Sequence, residues 1–234
     1  PSFESIVAKR PQLVIADLIN SIGPNGRIGT PEQFADLGIE VYVLPDQCTD
    51  IGPGASGGAG ARYKPFVLDQ VYHGVADLAR IFDRNERGAA LIADLKAREA
   101  GAKARVADVG EGISAVFWYS SASRESDPWV AGQNGVQGYM ARTLGVTNVV
   151  DIIDDWPTVG WETIARANPT MIIAPDLARR RYPLDAIDVK RDFLREDPVT
   201  RFMDAVENDR IVPLDPQEIA PSLRLVDGIE KLAE

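Results

Sequence analysis

Residues 3–16, FESIVAKRPQLVIA, return in altered form at residues 161–174 as WETIARANPTMIIA. Glu, Ile, Pro, Ile and Ala coincide, and most other pairs keep their character: Phe3 with Trp161, Ser5 with Thr163, Leu13 with Met171, Val14 with Ile172. Each copy reads as a short helix, a proline turn and a buried strand. Between the copies the pattern is helical from Leu68 almost to Val106, with a break near Asn85. A chain that carries one helix–turn–strand unit on each side of a long helix points to two similar lobes. The expected organisation is an N-terminal lobe over 1–83, a bridging helix over 84–108 and a C-terminal lobe over 109–234, with a ligand cleft between the lobes.

The remaining elements agree with an α/β architecture of mostly parallel strands. Strands are expected at 13–16, 40–44, along GISAVFWYSS, and at 148–152, 171–174 and 210–214. Helices are expected at 3–10, 31–37, 138–145, 158–168, 197–208 and 222–233. A long glycine-dense loop, DQCTDIGPGASGGAGARYKP, follows the second strand. A loop of that length in a compact domain is functional or disordered.

Composition excludes several classes. The net charge of −10 disfavours nucleic acid, whose phosphates call for clustered Lys and Arg. No run approaches the roughly 18 apolar residues of a membrane span. The lone cysteine, Cys48, rules out an intrachain disulfide. His73 is the only histidine and cannot build a zinc or manganese cage by itself. There is no GxSxG, P-loop, HExxH or CxxC, so no catalytic constellation is expected.

Two glutamates stand out within the repeat. Glu4 and Glu162 each follow an aromatic near a helix N-terminus. The helix dipole favours a carboxylate there. Alternatively, the matched pair forms a two-point docking surface for a partner with paired Arg or Lys.

These segments resemble the substrate-binding proteins of ABC importers for iron–siderophore complexes, haem and cobalamin. The likeness is carried by FESIVAKRPQLVIA, WPTVGWETIARANPTMIIA, FADLGIEVYVL and the closing FMDAVENDRIVPLDPQEIAPSLRLVDGIEKLA. It extends over nearly the whole chain. It implies two α/β lobes joined by a single long helix, binding and delivery rather than catalysis, and no cofactor beyond the cargo. The implied ligand is a ferric siderophore, with haem or a corrinoid such as cobalamin as alternatives. The implied partner is the ABC permease in the membrane, met through Glu4 and Glu162 by a monomeric receptor. The implied location is the periplasm, or the outer face of the membrane with a lipid anchor. A ligand-binding sensor domain is the alternative function. The family opens with a βαβ segment ahead of the first unit, so a leading segment is expected to precede Pro1.

Ligand-binding candidates follow from position. Ligands of open α/β sheets sit outside the carboxyl ends of the strands. Tyr119 and Trp129 follow one such end and Arg27 another; arginines in such clefts hold anionic ligands. ARRRYP follows the strand MIIAPD, which brings in Arg179, Arg180 or Arg181, with Arg181 and Tyr182 preferred. A solvated charged face is the alternative. The resemblance places Trp156 facing the cleft and Arg224 near it, against packing on the lobe itself for Trp156 and a salt bridge to Asp227 for Arg224. Tyr63, in the glycine-rich loop, completes the set.

Overall fold

The computed structural model describes residues 1–16, 21–23, 26–45, 51–52, 61–62, 64–109 and 112–234. They fall into two compact units. One is Pro1–Thr49 with Asp69–Gly88; the other is Asp50–Leu68 with Ala89–Glu234. Tyr63 and Cys48 lie outside the described residues.

In the first unit, α1 (Phe3–Val7) begins at Ser2, whose hydroxyl accepts the Ser5 N–H while the Ser5 hydroxyl accepts the Ser2 N–H. β1 (Leu13–Ala16) follows. α2 (Pro31–Ala35) is set by the same reciprocal cap between Thr30 and Gln33, with Pro31 in the first turn. β2 (Glu40–Val43) pairs parallel with β1, from Leu13 opposite Glu40 to Ala16 opposite Val43. Phe34 is wholly buried, with Phe3, Ile6, Val14 and Val41 in the same apolar cluster. The Phe3 and Phe34 rings lie 4.9 Å apart.

The second unit opens with a short antiparallel pair, β3 (Ile51–Gly52) and β4 (Ala61–Arg62). α3 (Asp69–Ile81) returns the chain to the first unit, where the Tyr42 hydroxyl donates to Asp77 at 2.8 Å. α4 (Asn85–Arg105) then runs from the first unit into the second. At 21 residues it is roughly 30 Å long. The break before it falls at Asp83, which has φ +52.

β5 (Ser114–Ser120) is the centre of the main sheet. β6 (Trp129–Val130) pairs antiparallel with its C-terminal part. α5 (Val136–Leu144) leads to β7 (Thr147–Asn148), which pairs parallel with the N-terminal part of β5. α6 (Trp161–Ala167), β8 (Met171–Pro175), α7 (Ile187–Glu196), α8 (Asp204–Glu207), β9 (Ile211–Leu214) and α9 (Leu225–Leu232) follow. The sheet runs β6-β5-β8-β9, with β5, β8 and β9 parallel. Trp118 is fully buried and meets Trp161 edge-on at 4.8 Å and Phe193 at 5.8 Å. Arg98 of α4 binds Asp227 at 2.7 Å and Glu230 at 2.5 Å, tying α4 to α9.

The repeat is a repeat of backbone as well as of sequence. After α1, Arg10 takes φ +49 immediately before Pro11; after α6, Asn168 takes φ +45 immediately before Pro169. Both turns deliver the chain into a parallel strand, β1 and β8. The repeated aromatics both serve packing, Phe3 on Phe34 and Trp161 on Trp118.

Several elements differ from expectation. The helix expected over 197–208 is broken: Asp197 accepts the N–H groups of Val199 and Thr200, a 3₁₀ turn covers Thr200–Phe202, and α8 spans Asp204–Glu207 only. The strand expected at 148–152 ends at Asn148: the Val149 N–H still meets the Ala115 carbonyl, but the Val150 N–H turns to the Asn148 side chain, which itself donates to the Ala131 and Gly132 carbonyls. α7 and β6 have no counterpart among the expected elements.

Gly138, inside α5, admits no side chain: a Cβ there would lie 1.9 Å from the Gln133 carbonyl oxygen. Gly138→Ala is therefore expected to cost about 2 kcal/mol or more of stability through overpacking against backbone. Urea unfolding at unchanged m-value is the measurement.

Candidate functional site

The parallel strands β5, β8 and β9 end on one side of the second unit, and their C-terminal segments enclose a pocket of about 620 Å³. β5 contributes Tyr119, the segment after β8 contributes Leu177, Ala178 and Arg179, and the segment after β9 contributes Pro216, Gln217, Ile219, Ala220 and Pro221. α5 adds Gln137 from its first turn, and the stretch before α6 adds Asp155 and Trp156. All of these residues belong to the second unit. Parallel sheets place ligands at this end, because the strand-to-helix turns diverge there.

Tyr119 and Trp156 pack ring against ring at 4.9 Å with their planes tilted by 50°. Arg179 donates from Nη2 to the Tyr119 hydroxyl at 2.9 Å, and its guanidinium carbon stands 5.5 Å from the Tyr119 ring. Two aromatic faces and a half-exposed cation are thus held together at one wall. Gln137 is buried and donates to the Ile219 carbonyl, which fixes the α5 side to the segment after β9.

Two fully buried charged side chains support this wall. Lys190 of α7 donates to the Tyr119 carbonyl at 2.7 Å and to the Pro175 carbonyl at 2.6 Å, joining the ends of β5 and β8. Asp185 accepts the Ser120 hydroxyl at 2.6 Å and the N–H groups of Arg181 and Tyr182 at 2.6 and 2.9 Å. Burial by itself would raise the Asp185 carboxyl. The Ser120 hydroxyl, the two N–H groups and nearby Arg179 outweigh it and hold the group below its ordinary value.

The sequence-derived candidates separate in space. Tyr119 and Trp156 line the pocket, and of the three clustered arginines it is Arg179 that does so. Arg181 instead lies over Tyr182 at 5.2 Å, and Tyr182 packs on Trp129 at 5.0 Å, forming a second stack. Arg224 is surrounded by carboxylates, with Asp215 at 3.3 Å, Asp227 at 3.5 Å and Glu218 at 3.7 Å. Arg27 is exposed on the first unit, and His73 is exposed on α3. Glu4 and Glu162 are exposed in the first turns of α1 and α6. Hydrogen bonds from its own N–H and from Ser2 hold the Glu4 carboxyl below its ordinary value. Gln137, Asp185 and Lys190 were not among the candidates. Among the described residues no group of His, Cys, Asp and Glu could hold a metal ion, and no helix is long and apolar enough to cross a membrane.

Solved structures share this fold. A periplasmic binding protein from Veillonella parvula superposes with a TM-score of 0.78 at 18% identity, over 100% of this chain and 73% of its own. An ABC-type Fe3+-hydroxamate transport system protein from Saccharomonospora viridis gives 0.70 at 26% identity, over 99% of this chain and 71% of its own. A periplasmic haem-binding protein from Roseiflexus gives 0.73 at 20% identity, over 99% and 78%. No curated protein sequence matches the chain. The sequence fits the family profile described as periplasmic binding protein over residues 1–218, and the chain belongs to that family.

Proposed function

We propose that this chain is the receptor of an ABC importer and captures an organic iron chelate, a ferric siderophore in the first instance. Its family consists of solute-binding proteins rather than enzymes, so its work is capture and release. The observation that carries the ligand class is the pocket wall of Tyr119, Trp156 and Arg179. Two aromatic faces and one guanidinium suit a bulky ligand with an anionic edge, whose iron arrives with its own donors. The likeness to the Fe3+-hydroxamate protein supports the same class. The receptor would work in the periplasm or on the outer face of the membrane. It would meet its permease through Glu4 and Glu162, each exposed on its own unit.

Haem is the second reading, and the Tyr119–Arg179 pair favours it. Arg179 holds the Tyr119 hydroxyl at the pocket wall, a tyrosine oxygen can ligate haem iron, and the guanidinium suits a haem carboxylate.

Tryptophan fluorescence decides between them. The protein is titrated with ferric hydroxamate, ferric catecholate, ferric citrate, haem and cobalamin. Saturable quenching by one ferric chelate is expected, weakened roughly tenfold in Trp156→Ala through loss of about 1.4 kcal/mol of stacking. Tight haem binding with a phenolate absorption band, lost in Tyr119→Phe, selects the second reading. Silence towards every ligand overturns both.

A further inference from the structure

Lys190 is the most unusual residue in the second unit. A lysine is almost never fully buried without a carboxylate partner at hydrogen-bond distance, yet among the described residues this one is, with Nζ bonded to two backbone carbonyls. Those carbonyls belong to Tyr119, which lines the pocket, and to Pro175, from which the chain leaves for Arg179. Nζ also stands 5.5 Å from the Trp118 ring. A neutral amine has two N–H donors, and the two carbonyls use both. A proton added to Nζ brings a third N–H and a full charge close to the pocket wall.

We propose that Lys190 is a positioning residue for the pocket and that its protonation, by adding a positive charge beneath Tyr119 and Arg179, favours an anionic ligand. This rests on the pocket being the ligand site. The surrounding charges make the added one count. Asp185 from the 3₁₀ turn Pro183–Asp185 and Asp176 just after β8 are set against Arg180. With Lys190 neutral the group is negative by one charge, and protonation balances it. Asp176 is already engaged by Arg180 and the Ile187 N–H, and Asp185 by Ser120 and two N–H groups. On α7 itself, Asp188 faces Arg191 at 3.9 Å. Burial pushes the Lys190 ammonium down from 10.5 to about 7, opposed by Asp185 and Asp176 and reinforced by Arg180.

The sign follows from linkage. An anion in the pocket stabilises the protonated amine, so binding takes up a proton and affinity falls as pH rises through neutrality. A one-unit rise in the Lys190 pKa on binding limits the change to about tenfold.

The test has two arms. In the first, the Lys190 side-chain carbon next to Nζ is followed by carbon-13 NMR in the free wild-type protein. A midpoint between about pH 6 and 8 is expected; a midpoint outside that window overturns the proposal. In the second, a gallium(III) catecholate chelate, a diamagnetic stand-in for the ferric one, is titrated at pH 6 and pH 8. Affinity is expected to fall threefold to tenfold, roughly, between the two. The fall is expected to vanish in Lys190→Met and Lys190→Gln; its persistence in either folded variant overturns the proposal. If no chelate binds, the ligand reading above fails, and with it the coupling to anions. The free-protein curve still decides whether Lys190 titrates near neutrality.

Discussion

An Asp185→Ala protein is expected to lose about 3 to 5 kcal/mol of stability at pH 7, the range for removing one member of a buried charged network. The carboxylate is fully buried and satisfies three donors, the Ser120 hydroxyl and the N–H groups of Arg181 and Tyr182. Its removal strands the buried Ser120 hydroxyl, at about 1 to 3 kcal/mol, and leaves the part-buried N–H groups of Arg181 and Tyr182 without their acceptor. It also leaves buried Lys190 without its largest favourable electrostatic neighbour. Asp185→Asn keeps one acceptor oxygen and is expected to fall between the two. The pH dependence carries a sign. A carboxyl held below its ordinary value stabilises the fold above its unfolded pKa, and that stabilisation is lost as pH falls through the folded pKa. The gap between wild type and Asp185→Ala is therefore expected to be full at neutral pH and to shrink in acid. Urea unfolding at pH 7 and at about pH 2.5, below the ordinary carboxylate range, measures both. A loss under 1 kcal/mol, as an order of magnitude, would mean that the loop carrying Arg179 is held by something other than Asp185.

The loop matters because it is where sequence and structure part. The repeat was legible in full: a helix, a proline turn and a strand recur because two parallel strands need the same entry. The turn conformation was not, since Arg10 and Asn168 share left-handed backbone without sharing chemistry. Tyr119 was expected at the pocket from its place at a strand end, and Trp156 from the family resemblance; both line it. Choosing among Arg179, Arg180 and Arg181 could not be done from three identical side chains. Their directions depend on Asp185, four to six residues away, capturing two N–H groups of the same loop.

α7 was hidden for a related reason. In IDVKRDFLRE, Asp188, Lys190, Arg191 and Asp192 crowd the apolar stripe formed by Ile187, Val189, Phe193 and Leu194. Lys190 breaks the pattern by being the buried one. Binary patterning assigns charged residues to the solvent face. A lysine whose nitrogen caps two strand ends can be recognised only once those ends are seen to meet. The breach of the pattern coincides with the wall of the pocket, where local rules are expected to yield to function.

Reversing both repeat glutamates, Glu4→Lys with Glu162→Lys, is expected to abolish uptake through the intact transporter while leaving ligand affinity unchanged. Both side chains are exposed, and neither lines the pocket. Among the described residues Glu4 interacts locally, with its own N–H and Ser2, so the fold should tolerate its replacement. A helix start prefers a carboxylate, and reversal there will cost a little stability in each unit. That cost is the alternative explanation for the repeated pair, and the two accounts predict different data. If the glutamates serve only their helices, Glu→Gln and Glu→Lys should lower the melting temperature in graded steps and leave uptake intact. If they meet basic residues of the permease, Glu→Gln should reduce uptake in part. Glu→Lys should then remove it, because like charges at an interface repel, and the effect should weaken at high salt. Each single reversal should retain part of the uptake, since the other unit keeps its own carboxylate. Restoration of uptake by acidic substitutions on the permease would identify the contact itself, an outcome that a purely structural role for Glu4 and Glu162 cannot produce.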